Sequence, residues 1–309
     1  MRKVFFETLQ EIFKEDKSVF LLTADLGVKF FQDFKSIDPQ RAINVGVAES
    51  NMIGIAAGMA LSGKNVYCYS IIPFLIMRTL EQIRVDLCCS NLNVKLLGAG
   101  GGLVYGVEGA THHAVEDIAI MRALPNMTVV CPGDSKEAEA LAKESVSHQG
   151  PLYIRFGRDS DPEINGENFK FKIGKGILVE GGKDICLMAT GGMLYSGKIV
   201  LDVLKAKGLN PSLVSMHTVK PLDEDLVRNC AKEYKAIFTL EEHNVLGGLG
   251  GAVAEVLAES RYGGIFKRIG IKDRYSFPDV GGPDYLRDKM GLSPEKIAKT
   301  ILGELKINF

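Results

Sequence analysis

Glu49 is the residue whose surroundings most call for a chemical explanation. In Asn44-Val-Gly-Val-Ala-Glu-Ser-Asn-Met-Ile-Gly-Ile-Ala-Ala-Gly-Met-Ala-Leu61 it is the one carboxylate in a run of small and apolar residues, with no cation among them. Apolar or tiny residues occupy every face from Met52 to Leu61, which predicts a helix buried on all sides, with Glu49 in its first turn. A carboxylate at such a core edge either takes up a proton more readily or meets a specific partner. Complementing the positive end of the helix is the simpler alternative. His112 and His113 are two of five histidines and stand side by side after a glycine-rich stretch. On an extended backbone adjacent side chains diverge, so one can face a site while the other faces away. No Cys or further His stands at a ligand spacing beside them, which argues against a metal. Phe74 falls at a strand-to-helix junction, and Arg78 and Glu81, three residues apart, read as a local ion pair.

These residues need elements to hold them. Apolar runs at Val19–Thr23, Val66–Ser70, Val94–Gly98, Thr128–Cys131 and Leu152–Arg155 read as strands, alternating with helical patterns near Ala48–Leu61, Phe74–Cys89, Val115–Ala123 and Lys136–Ser147. Such alternation with near-continuous apolar strands predicts a parallel sheet covered on both faces, an α/β doubly wound domain. Asp25, in Thr23-Ala-Asp-Leu26, and Arg155, in Leu152-Tyr-Ile-Arg-Phe156, then lie where strands end, the usual place for ligand-facing residues; a turn cap is the alternative for Asp25. A stretch rich in Gly, Asp, Glu and Asn follows. A second alternation begins at Ile185 and runs to a last helix at Pro294–Leu305. The expected organisation is a first domain over residues 1–160, a linker over 161–183 and a smaller second α/β domain with a mostly parallel sheet over 184–309.

Composition narrows the class. With 46% hydrophobic residues in 309, two cores can form. A formal net charge of −1 with scattered Lys and Arg argues against nucleic acid. No apolar run approaches the roughly 20 residues that span a bilayer, and the amphipathic amino terminus is not a signal peptide. The six cysteines form no C-x-x-C pair and read as reduced core residues of a cytoplasmic protein.

Four linked motifs carry a family resemblance: Val45-Gly-Val-Ala-Glu-Ser-Asn-Met52, Pro73-Phe-Leu-Ile-Met-Arg-Thr-Leu-Glu-Gln82, Glu108-Gly-Ala-Thr-His-His-Ala-Val-Glu-Asp117 and Met121-Arg-Ala-Leu-Pro-Asn-Met-Thr-Val-Val-Cys-Pro132. In this order and spacing, the chain from about residue 3 to 305 resembles the carboxy-terminal portion of a transketolase. The resemblance implies a pyrimidine-binding domain followed by the transketolase carboxy-terminal domain, with thiamine diphosphate as cofactor. It gives Glu49 the task of holding a proton at N1′ of the cofactor's aminopyrimidine, a task that suits a carboxylate in an apolar pocket. It places Phe74 against the aminopyrimidine with Ile72 packed nearby and Asp25 near the cofactor and a subunit interface. His112 falls on the donor sugar, with His113 a weaker candidate, and Glu108 stands where the family reads a donor hydroxyl with Asp. Arg155 falls on the substrate's phosphate, for which a guanidinium fork is suited.

The departures are informative. The metal-binding Gly-Asp-Gly of the family is lacking; Gly133-Asp134-Ser135 follows Pro132 and reads as a turn or helix cap. The chain therefore resembles the second subunit of a split transketolase. Its partner, the amino-terminal subunit, would hold the diphosphate and Mg2+ or Ca2+, in an obligate hetero-oligomer expected to be α2β2. Leu97-Gly-Ala-Gly-Gly-Gly-Leu-Val-Tyr-Gly106 replaces a segment that supplies a His and a Ser in the family, leaving backbone amides to approach a ligand. Recognition of the acceptor, a sugar or sugar phosphate, is therefore expected to differ. Glu241-Glu-His-Asn-Val-Leu-Gly-Gly-Leu-Gly-Gly251 looks like a nucleotide-type loop but lacks the acidic strand end that a dinucleotide site requires, so a packing role is expected. His217 and Lys220-Pro221 are expected to be architectural. Ketol transfer competes with the β subunit of a 2-oxoacid dehydrogenase, a deoxyxylulose-phosphate synthase and a noncatalytic regulatory subunit. Thr111-His-His-Ala-Val-Glu-Asp117 favours transketolase.

Overall fold

The computed structural model describes residues 1–157, 162–166 and 169–307. Six strands, β1 (Val19–Thr23), β2 (Ala42–Asn44), β3 (Asn65–Ile71), β4 (Val94–Ala99), β5 (Thr128–Val130) and β6 (Leu152–Phe156), form a parallel sheet in the order β2-β1-β3-β4-β6-β5. Every residue of β4, β5 and β6 is buried, as a sheet covered on both faces requires. The covering helices are α1 (Arg2–Glu15), α2 (Val28–Ile37), α3 (Glu49–Leu61), α4 (Leu80–Gln82), α5 (Asp117–Ala123) and α6 (Ser135–Ser147). Two π-helical turns, Pro73–Met77 and Ile83–Cys88, flank α4, where the sequence predicts one uninterrupted helix.

The second half contributes β7 (Ile177–Glu180), β8 (Ile185–Ala189), β9 (Ser212–Ser215), β10 (Thr218–Lys220), β11 (Ala236–Asn244) and β12 (Ile265–Ile271). Five of these form a second sheet in the order β12-β11-β8-β9-β7. Only β7 runs antiparallel in it, and β7 lies inside the segment expected to be a linker. Strand β10 instead pairs antiparallel with β5, extending the first sheet to seven strands. Helices α7 (Met193–Ala206), α8 (Glu224–Glu233), α9 (Leu249–Glu259), α10 (Pro283–Lys289) and α11 (Pro294–Glu304) complete this half. Apolar contact is continuous across the join: Ile118 and Met121 share one buried cluster with Leu249 and Val253.

Two expectations are corrected. Helix α3 buries Met52, Ile53, Ala56 and Ala57, whereas Gly54, Gly58 and Leu61 face outward and Leu61 is 73% exposed. Cys89 is exposed, although the other five cysteines are buried. No helix among the described residues is long and apolar enough to cross a membrane.

Candidate active site

The candidate residues gather at the carboxyl ends of the parallel strands. Glu49 follows β2 and Phe74 follows β3, on either side of β1, where the strand order reverses; crevices for ligands form at such a switch point. Glu49 is the first residue of α3 and 2% exposed. Its partner is Arg78, whose Nη1 donates to Oε2 at 2.5 Å, while Ser70 Oγ lies 3.5 Å from Oε1. This corrects the reading of Arg78 as a local partner of Glu81, which instead accepts from Gln82. Arg78 closes the π turn Pro73–Met77, its backbone N–H donating to the Pro73 carbonyl. The Arg78 guanidinium carbon also sits 4.7 Å from the centroid of the Phe74 ring, within cation–π range.

His112 approaches Phe74 edge-on, with ring centroids 5.2 Å apart, and its Nδ1 lies 3.0 Å from Thr111 Oγ1. His113 has a different partner. It is 4% exposed, its Nδ1 lies 3.1 Å from Ser276 Oγ in the second half, and burial holds its pKa below the ordinary imidazole value. A cavity of about 490 Å³ opens beside this group between the halves, with Pro73, Met77, Thr111, His113, Glu116 and Tyr275 on its walls.

The remaining candidates lie at varying distance from this group. Asp25 is exposed in a left-handed conformation (φ 56°) and exchanges hydrogen bonds of 3.0 Å with Asn44, so a turn role is visible at the edge of the site. Glu108 is exposed in the short helical turn Gly106–Glu108. Ile72 is fully buried beneath the site, so close to Gly98 that a Cβ there would stand 2.6 Å from it.

Arg155 departs most from expectation. It is 4% exposed, and its fork is taken up by Asp117 Oδ2 at 2.7 Å, the Ala114 carbonyl at 2.8 Å and the Glu242 carbonyl at 3.0 Å. In this arrangement it joins the two halves and presents no free fork to a phosphate. The glycine-rich loop is used the same way. Gly102 exchanges backbone hydrogen bonds with Ala114, Gly101 donates to the Phe156 carbonyl and Leu103 donates to Glu242. A Cβ on Gly101 would strike Arg155 at 2.8 Å and one on Gly102 would strike Glu242 at 2.5 Å. Gly101 therefore makes room for Arg155 and Gly102 for Glu242 of the second half, and those amides are not free for a ligand.

In the second half, Glu241 fills the amino end of α9, accepting from Leu249 N at 2.7 Å and Gly250 N at 2.9 Å. Burial pushes its pKa up to about 7 against these hydrogen bonds. The nucleotide-like loop is thus closed by the chain's own carboxylate. Asp134 caps α6 as expected, accepting from Glu137 N at 2.8 Å. His217 stacks on Phe171 with centroids 4.3 Å apart.

A planar aromatic N-heterocycle fits what Glu49 and Phe74 present: the carboxylate is held by a planar N–H donor, and that same donor lies over an aromatic ring. The guanidinium stands in for a flat nitrogenous group. Among the described residues no three His, Cys, Asp or Glu side chains converge on a metal position.

Fold and site together define a two-domain α/β chain with a buried carboxylate and an aromatic ring gathered at a strand switch point. The family models of the transketolase pyrimidine-binding domain and the transketolase C-terminal domain match residues 1–162 and 174–297. A 6-deoxy-6-sulfo-D-fructose transketolase subunit from Clostridium sp. (strain MSTE9) is 37% identical, over 97% of this chain and 92% of its own length. An apulose-4-phosphate transketolase subunit from Phocaeicola vulgatus is 36% identical, over 99% of this chain and 97% of its own. Among solved structures, a split-gene transketolase described as an inactive β4 tetramer superimposes with a TM-score of 0.88 at 34% identity, over 100% of this chain and 98% of that one. The chain belongs to the transketolase family and corresponds to the carboxy-terminal subunit of its split form.

Proposed function

We propose that this chain supplies the aminopyrimidine half of the active site of a split, thiamine-diphosphate-dependent transketolase, which moves a two-carbon ketol unit from a ketose donor to an aldehyde acceptor. The observation that carries this reading is the convergence of a buried Glu49, the Phe74 ring and His112 at one strand switch point. When bound, thiamine diphosphate supplies the nucleophilic carbon and electron sink that breaking a carbon–carbon bond requires. Glu49, withdrawn from water, is suited to hold a proton at N1′ of the ring. Phe74 offers the ring a flat apolar support. In this reading His112 hydrogen-bonds a donor hydroxyl or carbonyl, and the exposed Glu108 and Asp25 are further candidates for contact with substrate and cofactor. His113 is placed to brace the cavity wall through Ser276.

The diphosphate and its Mg2+ belong, in this reading, to the amino-terminal subunit, with an α2β2 assembly. The outward apolar face of α3, including Leu61, together with Val47 beside it, supports a covering subunit at this edge. Six cysteines without disulfides support a cytoplasmic setting. The sulfo- and phospho-ketoses in the relatives' names make anionic ketoses the first donors to try. The test copurifies the chain with its amino-terminal partner, adds thiamine diphosphate and Mg2+, and screens ketose donors against phosphorylated, free and nucleotide-linked aldehydes. Ketol transfer is expected only from the pair. Robust transfer by this chain alone would overturn the split arrangement.

A further inference from the structure

We propose that Arg78 is a latch on the cofactor pocket: in the unloaded chain it occupies Glu49 and Phe74 together and must swing away before an aminopyrimidine can engage both. This inference rests on the reading that the pocket takes thiamine diphosphate.

Three observations carry it. The contact with Glu49 is a charge-assisted hydrogen bond of 2.5 Å to a carboxylate that is 2% exposed, so the position a ring nitrogen would take is filled by Nη1. The same guanidinium lies over the Phe74 ring, covering the flat surface that a heterocycle would use. The Arg78 side chain is 47% exposed, unlike its partner, so a path to water is open and rotation about its own torsions clears the pocket. Glu49 thus stays paired in the empty chain, and a buried carboxylate is never left alone. The competing contact lowers apparent cofactor affinity by the fraction of molecules in which the latch is open. Departure of Arg78 leaves the Glu49 oxygen to share a proton with N1′; the neutral ring brings no N–H at that atom, so this proton is taken up from solvent, and the oxygen keeps one hydrogen bond.

The test uses the complex with the amino-terminal subunit and reads thiamine diphosphate binding by calorimetry in the presence of Mg2+, independent of turnover. Arg78→Gln and Arg78→Ala are expected to lower the apparent Kd by about threefold to tenfold, and Arg78→Lys, which retains charge without a planar fork, to fall between them and the wild type. A Kd that is unchanged or raised in all three variants overturns the latch. Glu49→Gln separates this from failure of the underlying reading. A wild-type complex that does not bind thiamine diphosphate, or binds it equally well without the Glu49 carboxylate, overturns the cofactor assignment itself. Loss of affinity in Glu49→Gln with no tightening in the Arg78 variants overturns the latch alone.

Discussion

Glu49 and Glu241 are both buried carboxylates set against the amino end of a helix at the carboxyl edge of a parallel sheet, one in each half of the molecule. Their partners differ. Glu241 is held by backbone amides of α9, which cannot leave without unravelling the helix. Glu49 is held by a side chain with nearly half its surface in water. A replaceable partner makes a carboxylate available to a ligand, and a fixed one makes it a plug. The same contrast separates the two arginines. Arg78 can move, whereas Arg155 is buried between two halves with Asp117 and Glu242 around it.

The sharpest way to break this comparison is Glu49→Gln, expected to lower kcat of the reconstituted enzyme by about 10²–10⁴-fold while leaving subunit assembly intact on size exclusion. A variant turning over near the wild-type rate removes the distinction. Next is Arg155→Met, which strands the Asp117 charge in the interior and is expected to cost about 3–5 kcal/mol in urea unfolding. A loss confined to phosphate-dependent KM, at unchanged stability, would restore a substrate role for Arg155. Glu241→Ala leaves two buried amides without an acceptor and should cost about 2–6 kcal/mol, at roughly 1–3 for each. Glu49→Gln should cost less than this, because Arg78 can turn to water.

The smallest effect concerns pH. Burial pushes Glu137 up to about 7 from its ordinary 4.5, with the Asp134 charge adding to the shift. The folded state therefore keeps a proton that the unfolded chain has released, so this stabilisation is complete below pH 4.5 and is lost as pH rises through 7. Comparing urea midpoints at pH 5 and 8, the wild type should lose about 1–3 kcal/mol more than Glu137→Gln over that interval. Parallel curves for the two proteins would show that Glu137 does not titrate there.

Most of the architecture was legible because strongly apolar strands and amphipathic helices leave periodic signals. Val19–Thr23 falls where the pattern put it, and the last helix, expected over Pro294–Leu305, spans Pro294–Glu304. Strands β2 and β10 are three residues each and, unlike the equally short but wholly buried β5, end in an exposed or half-buried polar residue, and β12 carries Lys267 and Arg268 on an exposed edge. At the site, the types and spacing of Glu49, Phe74 and His112 marked the residues that converge. The Arg78 partnership was hidden because an Arg three residues before a Glu looks local, and a π turn leaves no hydrophobic signature. The packing of Arg155 was hidden for a related reason: its position at a strand end is visible in sequence, but the second half that covers it is not.

Strand β10 has a practical consequence for anyone dissecting this molecule. A gene fragment ending before residue 176 would express the first half without its seventh strand, leaving the hydrogen-bonding edge of β5 bare, and bare edges invite pairing with other copies. The complementary fragment would carry Thr218–Lys220 with no sheet to join. A cut between the halves severs a sheet rather than a tether, so the two are best expressed, purified and mutated as one piece.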